Sequence, residues 1–156
     1  MSVRDVLEID DNAPLDEART LLREYVAGLP VPVEIPDFEG ELAGLPGAYA
    51  APRGRLLVAR SDGKAAGCVG LRPFDTDIGE LKRLYVREEF RGRGFARALV
   101  SAVIETARAQ GYARLRLDTH ESMDAARTLY GSFGFREIPA YWEHPVPNVV
   151  FYELTL

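Results

Sequence analysis

Apolar residues recur at spacings of three and four along residues 96–107, which predicts one face of a long amphipathic helix. We expect Gly111 to end this helix. A strand-like run over residues 81–86 precedes it, and a turn with Gly92 and Gly94 joins the two. The rest of the chain is organised around this strand, turn and helix.

The remaining pattern predicts alternating strands and helices within a single domain over residues 1–156, with no repeat and no internal boundary. The order predicts an α/β or α+β fold, a mixed sheet with helices on both faces. The predicted elements are a strand over 3–9, a helix from Pro14 to near Gly28, an irregular segment over 29–54 with a helical turn over 38–43, hairpin strands over 55–60 and 64–74, a central strand over 80–86, the long helix, a strand over 113–117, a helix capped by Ser122 and ended by Gly134, turns over 139–148, and a strand over 149–154.

Composition narrows the class of protein. The chain has 156 residues, 47% of them hydrophobic and 28% charged, which is ordinary for one soluble globular domain. Its net charge of −5 argues against nucleic acid as a partner. No apolar stretch is long enough to span a membrane and no signal-peptide core is visible, so the expected location is the cytoplasm. With one cysteine and two histidines in the chain, we expect no metal site.

Three arginines, Arg91, Arg93 and Arg97, lie where the long helix begins. A helix N-terminus already carries partial positive charge and unpaired N–H groups, so cations are disfavoured there unless an anion is bound. Gly92 and Gly94 would let a phosphate approach the backbone. The pattern indicates an anion cradle suited to a pyrophosphate. The alternative, solvated arginines beside a turn shaped by glycine, stays open.

The same turn fits the motif of a known family. Residues 91–96 read R-G-R-G-F-A, which matches Gln or Arg, two residues, Gly, one residue, then Gly or Ala. The strand 80–86 and the later segment 129–135, L-Y-G-S-F-G-F, have that family's order and separation. The chain therefore resembles the GNAT superfamily of acetyl-CoA-dependent N-acetyltransferases, best over residues 55–135. One position departs from the family: Met123 stands where an asparagine often contacts the cofactor.

The resemblance implies a GNAT-like mixed sheet of about six to seven strands. It implies acetyl-CoA as the acetyl donor and no metal, and it allows a homodimer, because family members often pair. The strand backbone would pair with the pantetheine arm, and N–H groups of the turn would bind the pyrophosphate. The cofactor-binding residues so implied are Leu84, Tyr85 and Val86 on the strand, and Arg91, Gly92, Arg93, Gly94, Phe95 and Ala96 in the turn.

Acetyl transfer to an amine needs a neutral amine, a stabilised oxyanion and a protonated leaving thiolate. The resemblance makes Glu80 the candidate base, often acting through water, and Tyr130 the candidate acid near the thioester sulfur. Each has an alternative: Glu80 paired with Lys82 or a nearby arginine, and Tyr130 as an ordinary core residue. We expect a backbone N–H of the central strand to stabilise the oxyanion, and direct attack by the amine rather than an acetylated cysteine.

The expected acceptor is a primary amine of a small molecule. An amino-acid-like acceptor is one form of this expectation, since Arg72 or His120 could hold a carboxylate. Two alternatives stay open: a protein lysine or N-terminal acetyltransferase, and a non-catalytic acetyl-CoA-binding module. The candidates for the acceptor pocket are Tyr25, Phe38, Tyr49, Arg72, His120, Tyr141, Trp142 and His144.

Overall fold

The computed structural model describes residues 7–30 and 35–156. The elements in these ranges alternate as the apolar pattern predicts. The strands are β1 (Leu7–Asp10), β2 (Arg55–Ser61), β3 (Lys64–Pro73), β4 (Ile78–Val86), β5 (Arg114–His120), β6 (Arg136–Ile138) and β7 (Val149–Thr155); the helices are α1 (Leu15–Ala27), α2 (Phe38–Ala43), α3 (Phe95–Ala109) and α4 (Asp124–Ser132). Single 3₁₀ turns cover Gly47–Tyr49 and Glu88–Phe90.

The described strands form one seven-stranded mixed sheet in the order β1-β2-β3-β4-β5-β7-β6. Neighbouring strands are antiparallel except β4 and β5, which are parallel. These two strands pair only at their first residues, from Ile78 opposite Arg114 to Glu80 opposite Arg116. Beyond Glu80 the ladder between β4 and β5 stops, which leaves a gap in the middle of the sheet.

Two apolar cores cover the two faces of the sheet. Leu99, Val100 and Val103 of α3 are fully buried on one face, together with Tyr130 of α4. On the other face Leu21 and Leu22 of α1 pack in a second cluster, which also contains residues of α2 and its following turn. The three- and four-residue spacing of apolar positions places each helix in this way. The predicted fold, a mixed sheet with helices on both faces, is confirmed.

A bulge interrupts β4 in the middle of the sheet. The pairing with β3 passes from Gly70 opposite Lys82 to Cys68 opposite Tyr85, so β4 contains one residue more than β3 over this stretch. Arg83, within the bulge, has a φ of 62°, which is uncommon for a residue with a side chain. The bulge breaks the alternation of the strand beside the gap.

Several details differ from the predicted elements. Ser122 is not the cap of α4: the N-cap residue is Met123, without a side-chain cap bond, and the Ser122 hydroxyl lies 2.7 Å from Nδ1 of His120. Because the Ser122 hydroxyl is bound to the His120 ring, the serine oxygen does not cap the helix. The short edge strand β6 was not predicted. The first part of the predicted strand 3–9 lies outside the described residues, as do residues 31–34.

Candidate active site

The turn before α3 has the open backbone that an anion needs. Gly92 and Gly94 have φ values of 73° and 87°, a region that favours glycine, and a Cβ added at either would meet nothing within 4 Å. No side chain caps α3, and its first turn contains no acidic residue. The N–H groups that begin an α-helix have no partner in the helix itself. Gly92, Gly94 and the start of α3 therefore form a cradle that fits an anion.

The arginines of the turn are exposed and lie around this cradle. Nε of Arg91 donates to the carbonyl oxygen of Val86 at 3.0 Å, which ties the turn to the end of β4. The Arg93 guanidinium lies over the ring of Phe95, 5.6 Å from its centroid. Arg97 donates to Oγ of Ser132 in α4 at 2.9 Å. The Phe95 side chain is buried in the core and Ala96 is half-buried, so these two residues offer backbone rather than side chains.

The backbone predicted to pair with a pantetheine arm borders the gap in the sheet. Tyr85 and Val86 pair with Cys68 and Gly67 of β3 on one side. On the other side the ladder with β5 has already ended at Glu80. Leu84, Tyr85 and Val86 therefore turn one edge of their backbone towards the gap, where an extended chain could add as a further strand.

A cavity of about 350 Å³ opens beside this gap. It is bounded by α1, the loop before α2, the bulged part of β4, the end of β5 and the loop before β7. Tyr130 reaches it from α4, on the opposite face of the sheet. The cavity wall contains polar and ionisable side chains, among them those of Tyr25, Glu41, Arg72, Lys82, Arg83, Asp118, His120, Tyr130, Trp142 and His144.

The structure therefore brings part of the predicted acceptor pocket together. Tyr25, Arg72, His120, Trp142 and His144 line the cavity. The other three candidates do not. Tyr49 is buried in the second core, where burial raises the pKa of its hydroxyl to about 12, and Phe38 packs against the same core. Tyr141 is bound to Glu80 instead of lining the cavity.

Tyr130, the predicted acid, lines the cavity and is only 4% exposed. Its ring packs against Phe135 and Tyr152, with centroids 5.7 and 6.3 Å away. Burial raises the pKa of the Tyr130 hydroxyl well above its usual range, and the charge of Asp118 adds to the shift. The hydroxyl therefore stays protonated at neutral and moderately alkaline pH, as an acid must before it acts.

Glu80, the predicted base, lies 3% exposed in an ion-pair network. Its Oε1 accepts from Nε of Arg72 at 2.9 Å, and its Oε2 accepts from the Tyr141 hydroxyl at 2.8 Å. Nζ of Lys82 is 3.8 Å from the same Oε2. Glu80 is not among the cavity-lining residues, whereas Arg72 and Lys82 are. The pairing with Lys82 and an arginine, considered as an alternative for Glu80, is present.

A second carboxylate, Asp118, lies in the cavity wall itself. Its Oδ2 accepts from Nζ of Lys82 at 3.2 Å and from the indole N–H of Trp142 at 2.9 Å. Its Oδ1 is 4.0 Å from Nε2 of His144, beyond hydrogen-bond distance. Burial lowers the pKa of His144, so the ring is neutral at pH 7.

Arg83 and Asp118 are cavity residues that sequence reasoning did not single out, and Lys82 was considered only as an ion-pair partner of Glu80. Asp118 could have been found from alternation: Leu115 and Leu117 face the α3 core, so Arg116, Asp118 and His120 face the other way. Arg83 could not, because the bulge that redirects it leaves no mark in the sequence pattern. In the structure Arg83 forms a two-pronged ion pair with Glu41 of α2, at 3.1 and 2.9 Å.

The single cysteine of the chain lies in the core of the protein. Cys68 is fully buried, and burial raises the pKa of its thiol to about 12, which leaves it a poor nucleophile and agrees with direct attack by an amine. Within residues 7–30 and 35–156, no group of three or more His, Cys, Asp and Glu side chains is arranged to hold a metal ion.

The comparison with protein families decides the identity. The model of the Acetyltransferase (GNAT) family matches residues 19–135, which include the turn, the bulged strand and α4. The chain belongs to the GNAT family of acetyltransferases. Members of this family use acetyl-CoA as the acetyl donor. The protein is therefore an acyltransferase, and its relatives make it a GNAT-type N-acetyltransferase.

Relatives of this acetyltransferase agree with the family. An uncharacterized N-acetyltransferase of Schizosaccharomyces pombe is 38% identical over 144 residues, which are 91% of this chain and 88% of the relative. The N-acetylaspartate synthetase of Xenopus tropicalis is 37% identical over 99 residues, 63% of this chain but only 36% of that protein. A crystal structure of an acetyltransferase from Streptococcus agalactiae has a TM-score of 0.79 at 20% identity, covering 96% of this chain and 98% of that one, and supports the fold.

Among the helices of the described residues, none combines the length and the apolar composition that crossing a bilayer requires.

Proposed function

We propose that this acetyltransferase transfers an acetyl group from acetyl-CoA to a primary amine of a small molecule. The observation that carries the proposal is the 350 Å³ cavity, which lies beside the gap in the sheet and has Tyr130 in its wall. A cavity of this size is at the lower end of the range for small-molecule sites. The walls come from both faces of the sheet, so the acceptor would lie in a concave pocket rather than on a flat surface.

The residues of the turn and of β4 fit acetyl-CoA. The backbone from Arg91 to Ala96 would hold the pyrophosphate, because α3 offers uncapped N–H groups and Gly92 and Gly94 leave space above the backbone. Leu84, Tyr85 and Val86 would hold the pantetheine arm through the backbone edge that faces the gap. When bound, acetyl-CoA supplies an acetyl group activated as a thioester.

Tyr130 would supply the proton for the leaving thiolate. Its hydroxyl stays protonated because it is buried, and it faces the same cavity as the acceptor. The backbone N–H groups of the bulge beside Arg83 would face the developing oxyanion, because the bulge frees them from the regular ladder with β3.

Glu80 stays a predicted base. Its carboxylate is bound by Arg72 and Tyr141, and its neighbours Arg72 and Lys82 line the cavity whereas Glu80 does not. It would therefore act through a water or through these neighbours rather than by direct contact with the amine. If Glu80 is the base, Glu80→Gln changes the acidic limb of the pH profile of kcat/KM, where the rate rises with pH. An unchanged limb with a lower rate would leave Glu80 as an ion-pair partner that orients Arg72.

A panel of acceptors tests the proposal. Small primary amines, including amino acids, and peptides with free lysines or N-termini are each incubated with the enzyme and acetyl-CoA, and released thiol is measured with a thiol-detecting dye. We expect at least one small amine to raise thiol release above the hydrolysis background, and peptides to do so less. Activity with peptides alone would contradict the small-molecule acceptor. No activity with any amine would favour an acetyl-CoA-binding module.

A further inference from the structure

Two carboxylates flank Lys82, the buried Glu80 and the partly buried Asp118, and they differ in how many of their oxygens already accept hydrogen bonds. Both oxygens of Glu80 accept hydrogen bonds, one from Arg72 and one from Tyr141. Asp118 uses only Oδ2, which accepts from both Lys82 and Trp142. Among the residues that the structure describes, none donates a hydrogen bond to Oδ1 of Asp118. Asp118 therefore keeps one carboxylate oxygen for a further donor.

The free oxygen belongs to a residue of the cavity wall. Asp118 lines the cavity, and its side chain is 10% exposed, whereas Glu80 does not line it. The negative charge of Asp118 also acts on cavity tyrosines from two helices, since it helps to raise the pKa of Tyr25 in α1 and of Tyr130 in α4 after burial itself. The carboxylate is thus within electrostatic reach of the predicted acid.

The cations around the cavity form their hydrogen bonds with acceptors other than Oδ1 of Asp118. Arg83 is committed to Glu41 by two hydrogen bonds, and Arg72 to Glu80. His144 accepts a hydrogen bond at Nδ1 from the N–H of Val146 at 3.0 Å, so its neutral ring carries the proton on Nε2. This Nε2 is 4.0 Å from Oδ1 of Asp118, which is beyond hydrogen-bond distance. In the part of the chain that the structure describes, Lys82 is the one cation that hydrogen-bonds Asp118, and it does so at Oδ2.

We infer that Oδ1 of Asp118 binds the ammonium group of the acceptor. A primary ammonium is a compact cation with three donors, and a partly buried carboxylate oxygen in the cavity wall can accept one of them in a charge-assisted hydrogen bond. This contact would hold the acceptor nitrogen in the same cavity as the Tyr130 hydroxyl, and it would favour primary amines over alcohols of the same shape. Before attack the bound ammonium must lose one proton, which would pass through a water to Glu80 if Glu80 is the base. The inference rests on the proposed function, because it names the residue that recognises the acceptor.

The chain provides a built-in reporter for this contact. Trp142 is the only tryptophan, and its indole N–H is bonded to the other oxygen of Asp118. A cation that binds Oδ1 withdraws charge from Oδ2, so the indole N–H resonance moves in an NMR spectrum of protein labelled with ¹⁵N. The measurement follows amine binding without requiring acetyl transfer.

The experiment titrates wild-type protein with methylamine, benzylamine and β-alanine, and with benzyl alcohol as the uncharged match to benzylamine. We expect the amines, but not benzyl alcohol, to shift the indole resonance. In Asp118→Asn the remaining carbonyl oxygen can still accept from Trp142, so the fold is retained, while the dissociation constant of the amine rises about tenfold or more. With a reactive amine, KM rises by a similar factor and kcat changes less.

Glu143→Gln is the matched control, because it removes one negative charge from an exposed residue next to Trp142 in the loop before β7. It should leave the amine titration as in wild type. Equal amine binding by Asp118→Asn and wild type would overturn the inference, and so would the absence of any indole shift by amines. If amines bind through Asp118 but no acetyl transfer occurs, the proposed function fails and the amine site stands; if transfer occurs without an indole shift, only the role of Asp118 fails.

Discussion

Tyr130→Phe is expected to lower kcat by about 10²–10⁴-fold, the range that a positioned general acid contributes. The affinity for acetyl-CoA should change little, because the ring remains. Phe keeps the contacts with Phe135 and Tyr152 and removes only the hydroxyl that lines the cavity. The measurement is a steady-state rate with the best amine of the acceptor panel, beside a direct titration with coenzyme A.

Tyr152→Phe is the matched control for this prediction. It deletes the same atom from the same core, where the Tyr152 hydroxyl accepts a hydrogen bond from Nε of Arg127 at 3.0 Å. Loss of that bond should cost about 1 kcal/mol of stability and leave kcat nearly unchanged. If Tyr130→Phe turns over as fast as the control, Tyr130 is a core residue and another group protonates the thiolate.

Gly94→Ala is expected to weaken coenzyme A binding by about tenfold or more. At a φ of 87° an alanine costs about 1–2 kcal/mol, so the free turn relaxes to another conformation that binding must reverse. The added Cβ also occupies the open side of the backbone on which the anion would lie. Calorimetric titration with coenzyme A measures the change.

Gly63→Ala separates this effect from general strain. Gly63 has a φ of 81° and an equally open Cβ position, but it lies in the turn between β2 and β3. Both variants should lose a similar amount of thermal stability. Only Gly94→Ala should lose affinity for coenzyme A, and equal affinities in the two variants would show that the turn before α3 does not hold the anion.

Local pattern was enough to predict most of the fold. The spacing of apolar residues in α3 and the glycine after it predicted a helix that the structure places at Phe95–Ala109, and even the short α2 was predicted at its observed bounds. These elements are specified by contacts within a few turns of chain. Strand β6, with three residues, is too short for a periodic signal and exists through its pairing with β7.

The candidate site was less accessible, because its chemistry depends on residues that are far apart in the chain. Tyr141 and Glu80 are bonded across 61 positions, and Lys82 and Asp118 across 36. No local pattern in the sequence predicts pairs at such separations. The bulge at Arg83 also leaves no sequence signal, since one extra residue in a strand changes which side chains face the cavity without changing the composition. Motif residues such as those of the turn could be predicted, and their partners could not.

The most direct test of the account is a titration of ¹⁵N-labelled protein with coenzyme A, followed by the backbone amide resonances. The account predicts that the amides of residues 91–97 and of Leu84, Tyr85 and Val86 move most, because the diphosphate lies against the start of α3 and the pantetheine arm lies along the free edge of β4. Binding of coenzyme A with these amides unmoved and a different surface perturbed would contradict it.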